Sequence, residues 1–178
     1  MKSILIVGLS MFLLSCTNSK TAQETIDVKP ASFLDAKLRK FVRDHPEWSQ
    51  NDVLKEEVNS EFKDSIDVWK KSSSFLKGIP MKLSSVDIKE MDRKPVYVAY
   101  FKVNDVTKSG LYDGLPIELN VLVQLSRDNI KSLTQDEFYF IEDARFSKNI
   151  DVYQPEKRED YYDIGSYIFK ASTFKKTF

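Results

Sequence analysis

The hydrophobic period of this chain changes once, around Gly78 and Pro80, and that change restricts the fold classes open to it. Before it, apolar residues recur every three or four positions: Leu34, Leu38, Phe41 and Val42, then Leu54, Val58, Phe62, Ile66 and Trp69. This is the spacing of amphipathic helices. After it, apolar and polar residues alternate, most clearly in Ile117, Leu119, Val121, Val123 and Leu125, which is the period of a strand with one buried face. Helices first and strands afterwards predict an α+β domain with its helices packed on a sheet. The 178 residues suffice for one domain of ordinary size, and 42% hydrophobic content with 12% aromatics excludes a disordered chain.

Local signals set the boundaries. Ser32 and Asp35 form a capping pair, and Asp44-His45-Pro46 stops the first helix, because the residue before proline is driven out of the helical region. A second helix starts at Ser49, with Asp52 in its first turn, and weakens at Ser72-Ser73-Ser74. The strands are Met81 to Met91, slipping at Ser84-Ser85 as a bulge would; Val96 to Val106, apolar on both faces and so expected to be covered on both; and Ile117 to Leu125. A short helix over Arg127 to Leu133 precedes Phe138 to Phe146 and Tyr162 to Phe174, with Ser147 to Asp160 as a polar loop between them. The expectation is two amphipathic helices on a five-stranded antiparallel meander. Three strands, a short helix and two more strands resemble a partly open OB-fold barrel carrying a helical N-terminal extension. A cystatin-like or NTF2-like sheet wrapped on a helix is the alternative.

The first sixteen residues address location. Lys2 precedes an apolar run, Ile4 to Leu14, broken only by Gly8 and Ser10. Eleven helical residues span about 16 Å, half of a hydrocarbon core of roughly 30 Å, so the run is a signal h-region rather than a permanent span. It ends in Leu13-Leu14-Ser15-Cys16, which resembles the lipobox of bacterial lipoprotein precursors. That resemblance implies cleavage after residue 15, a diacylglycerol on the Cys16 thiol and acylation of the new amine. Two or three chains anchor stably where one is marginal. Residues 16–30 are then lipidated cysteine and polar tether, with a reach of about 20 Å, and residues 31–178 are the single domain, helical over 31–77 and β over 79–178. Thr17 after the cysteine, where an inner-membrane retention signal has Asp, favours the outer membrane.

Candidate chemistry is sparse. The 27 basic and 27 acidic residues give no excess for an electrostatic nucleic-acid binder, and removing Lys2 with the leader leaves 26 against 27. One cysteine and one histidine leave no disulfide framework and no cysteine-rich metal site, and no catalytic motif is present, so neither cofactor nor enzymatic activity is predicted. His45 reads as a helix C-terminal residue, and Lys37, Arg39, Lys40 and Arg43 as a solvated helix face. Paired carboxylates for hydrolysis would come from Glu142 and Asp143, or from Glu156, Glu159 and Asp160. Tyr153, Lys157, Arg158, Tyr161 and Tyr162 gather aromatic and cationic residues around one loop, a composition favoured in contacts. These features predict a membrane-anchored envelope lipoprotein that binds a protein or glycan partner. An envelope hydrolase and a structural component without a discrete site are the alternatives. Cys16→Ala is expected to abolish labelling by a fatty-acid probe and to leave the leader uncut, both read on one gel.

Overall fold

The computed structural model describes residues 31–49, 52–91, 93–103, 111–150 and 155–177. It is an α+β fold with a curled, open half-barrel sheet. Helix α1 (Phe33–Asp44) begins as its sequence requires: the Ser32 hydroxyl accepts the Asp35 backbone N–H at 3.0 Å. A 3-10 turn (Pro46–Ser49) leads into α2 (Asp52–Trp69). Gly78, at φ +82°, turns the chain from the helical part into the sheet.

The strands are β1 (Pro80–Met91), β2 (Lys94–Lys102), β3 (Ile117–Leu125), β4 (Phe138–Ile141), β5 (Arg145–Asn149), β6 (Glu156–Lys157), β7 (Tyr162–Lys170) and β8 (Phe174–Lys176), with a one-turn helix α3 (Arg127–Ile130) after β3. The pairing order is β5-β7-β3-β2-β1-β4-β8. Two expectations need correction. The sheet is mixed rather than an antiparallel meander: β7 inserts beside β3 in parallel, with Val121 opposite Tyr167 and Val123 opposite Phe169. The strands predicted over 138–146 and 162–174 are each broken in two, and Ser147 to Asp160 is not wholly loop, since β5 reaches Asn149 and β6 pairs with β7.

The breaks share one cause. Ile141 faces Phe174 and Arg145 faces Lys170, so β4–β5 and β7–β8 keep one antiparallel register across a jog at 142–144 and 171–173. Asp143 holds that jog. Its carboxylate accepts the backbone N–H groups of Ser172 at 3.0 Å and Thr173 at 2.9 Å, and the Ser172 hydroxyl. The jog lets β4 pair with β1 while β5 pairs with β7, which curls the sheet.

Inward-facing Leu119, Val121, Val123, Ala99, Phe101, Tyr167 and Phe169 form one core with Leu38, Phe41, Phe62 and Ile66 of the helices. Rings cross the seam: Trp48 lies 5.5 Å from Tyr162, and Phe75 lies 5.9 Å from Phe169. The helices cover the inner face only. The two-sided burial expected for β2 holds in part: on the outer face Val98 is buried outside the main core and Val96 and Tyr100 are half-buried, while Lys102 is exposed.

Arg39 is also corrected, from a solvated residue to a buried one at 3% exposure. Its Nε donates to Asp35 at 2.8 Å, and Asp35 further accepts the N–H groups of Ala31 and, across the fold, Leu115 at 2.8 Å. The i,i+4 spacing puts both residues on the flank that docks the 111–116 segment. Asp35→Ala would leave a buried guanidinium without its counter-charge. We expect it to lower stability by about 3–5 kcal/mol in urea unfolding, and Asp35→Ala with Arg39→Met to restore most of the loss.

Candidate functional site

The residues singled out by composition come together only in part. Cys16 and Tyr153 lie outside the described residues. Lys157, Arg158, Tyr161 and Tyr162 surround the hairpin between β6 and β7, closed by an Arg158 N–H to Tyr161 carbonyl bond of 2.9 Å. Tyr162 is a packing residue: its ring lies tilted beside Trp48, its N–H donates to the Pro116 carbonyl, and burial pushes its hydroxyl pKa up. Lys157 is half-buried against α2, where its backbone N–H meets Asn59; burial, with Lys55 nearby, lowers its pKa. Arg158 pairs with Glu156 at 2.5 Å, and Tyr161 is set against Glu118.

This end of the sheet is acidic. Burial, then the charges of Glu118 and Glu156, hold the Asp163 carboxyl above its usual range, although the Gly165 N–H donates to it at 2.9 Å. Gly165 sits at φ +99° with the Tyr167 hydroxyl 2.9 Å from where a β-carbon would project, which leaves no room for a side chain there. The expected hydrolytic pair is otherwise engaged: Glu142 bonds Lys175 at 2.8 Å, and Asp143 holds the strand jog. His45 lies 4.2 Å from Phe41 ring to ring and between Glu47 and Glu61, as a helix C-terminal residue. Among the described residues no three His, Cys, Asp or Glu side chains converge as a metal site, and no helix is long and apolar enough to cross a membrane.

Composition missed a different surface. Strand register places Tyr100, Leu122, Ile168 and Lys148 in one row across β2, β3, β7 and β5 on the outer face. The rows beside it hold Lys102, Asn120 and Ser166 on one side and Val98, Gln124, Lys170 and Arg145 on the other. Tyr100 and Leu122 are half-buried, and Lys89 extends to 5.8 Å from the Tyr100 ring. Arg145, Lys170, Gln124, Val96 and Ser172 line an open groove of about 520 Å³ at one end. Amide and hydroxyl groups thus surround an aromatic and aliphatic centre, with cations at its margins and the carboxylates of Asp87, beside Val98, and Asp143, in the groove. No sequence signal marks this surface, because its members lie in four strands and only pairing collects them.

Comparison with protein-family models, with characterised proteins and with solved structures finds no match. Asp143 carries a pH signature. Burial would raise its pKa, but the bonds from Ser172 and Thr173 outweigh this and hold it below 3.8. A carboxylate depressed in the folded state stabilises above its unfolded pKa, and that stability is lost as pH falls through the folded one. Asp143→Asn is expected to destabilise by about 1–2 kcal/mol near neutrality, with the difference shrinking below about pH 4, read from urea midpoints across pH.

Proposed function

We propose that this protein is a lipid-anchored lipoprotein of the bacterial envelope that binds a partner through the outer face of β2, β3 and β7. The observation that carries the binding role is the row of half-buried Tyr100 and Leu122 beside buried Ile168, ringed by polar and charged side chains and left uncovered by the helices. Aromatic and aliphatic centres inside polar rims are the anatomy of recognition surfaces.

Topology supports the same reading. A parallel β3–β7 pair, β1 shared between β2 and β4, and a short helix between β3 and β4 agree with an OB-like barrel. In such barrels the second and third strands present the ligand face. Location rests on the Leu13-Leu14-Ser15-Cys16 resemblance, with residues 16–30 as the tether that lifts the domain off the headgroups and the outer membrane as the anchoring bilayer. The partner is a protein or glycan of the envelope, and the role is accessory: it holds and positions and catalyses nothing.

A photo-reactive amino acid at position 122 tests this in intact cells, with Val68, 67% exposed on α2, as the control position. A covalent adduct is expected from 122 and none from 68. Adducts from 68 alone, or from neither position, would reject the face.

A further inference from the structure

We infer that the outer face binds an anionic glycan, a saccharide chain bearing carboxylate or phosphate groups; this rests on the binding role of that face and names its ligand class. Two cross-strand pairs on this face bring like charges together. Arg145 lies directly opposite Lys170, and Lys82 directly opposite Lys102. Like charges facing each other across strands destabilise a sheet, so the charges themselves favour neither arrangement. Asp136 offsets the second pair through Lys82 at 3.2 Å. Among the described residues Arg145, Lys170, Lys148 and Lys102 have no carboxylate within salt-bridge distance, and all four are exposed. Among the described residues the carboxylate lining the groove is that of Asp143, which accepts hydrogen bonds from Ser172 and Thr173 and is the one negative charge set against Arg145 and Lys170 there.

The charges frame the face rather than fill it. Lys102 on β2 and Lys148 on β5 are three strand spacings apart, about 14 Å at roughly 4.8 Å each. Arg145 and Lys170 stand together at the groove end. Several anionic groups along one extended chain would satisfy cations so placed, and a single small anion would not. Between them, Asn120, Gln124 and Ser166 present amide and hydroxyl groups suited to sugar hydroxyls, and Tyr100 offers one partly exposed ring to a sugar face. Nucleic acid fits less well. Stacked bases use several aromatic platforms, whereas among the described residues the row of Tyr100, Leu122 and Ile168 carries one, and the balanced charge of the whole chain lacks the basic excess of such binders. The acidic end at Glu118 and Asp163 would bound the ligand on that side.

Amine acetylation of the full lipidated chain in neutral detergent reads the face directly. The probes are oligogalacturonate, its methyl-esterified form, single-stranded DNA of matched charge, and nanodiscs containing anionic lipid. Oligogalacturonate is expected to slow acetylation of Lys102, Lys148 and Lys170 and not that of Lys37 or Lys77, while the ester has no effect. Arg145→Gln is expected to weaken oligogalacturonate binding about tenfold, or about 1.4 kcal/mol, and Tyr100→Ala to weaken it while leaving its salt dependence unchanged. Equal protection by the ester, or stronger protection by DNA or by nanodiscs, would overturn the inference. An adduct at position 122 in cells without protection by oligogalacturonate would overturn the ligand class and leave the binding role standing.

Discussion

The sheet depends on a jog in two facing strands. β4–β5 and β7–β8 run antiparallel in one register, and at 142–144 against 171–173 they leave the ladder together. Without the jog, β4 could not stay on β1 while β5 stays on β7, and the sheet would not curl around the helices. A single carboxylate, Asp143, replaces the missing ladder bonds with bonds to Ser172 and Thr173. Backbone donors that would otherwise compete for water are thereby satisfied at the point where the sheet bends.

Much of this was readable in the sequence, and the reasons are local. The Ser32–Asp35 cap, the stop at His45-Pro46, the bulge at Ser84–Ser85 and the alternation of Ile117–Leu125 are each specified by neighbouring residues. The parallel insertion of β7 beside β3 was not readable, because nothing in the run Tyr162–Lys170 distinguishes a parallel partner from an antiparallel one. Buried cations escaped for the same reason. Lys70, just past the end of α2, is 3% exposed, bonded to Asp67 and to Asn149 at 2.7 Å, and seated over the rings of Phe146 and Tyr167. Its partners lie across the fold, so only folding reveals them.

The same division governs the site. A loop rich in tyrosine and arginine attracts attention in a sequence, but Tyr162 proves to be a strut against Trp48, and Arg158 is neutralised by Glu156. The outer face is spread over Tyr100, Leu122, Arg145 and Lys170, residues unremarkable where they stand in their own strands. Register turns them into one surface. The apolar outer positions of β2, read from sequence as a sign of two-sided burial, are buried or half-buried at the centre of a face that carries charge at its edge.

That face is where the sheet departs from its own stability. Arg145 and Lys170 oppose each other because β5 and β7 pair as they do, and the account holds that an anionic ligand, not folding, justifies their juxtaposition. A double-mutant cycle on Arg145→Gln and Lys170→Gln, followed by urea unfolding at low salt without ligand, isolates that pair from Asp143 and every other charge. The account predicts a coupling of repulsive sign, of about 0.2–1 kcal/mol. A coupling of zero, or of attractive sign, would contradict it.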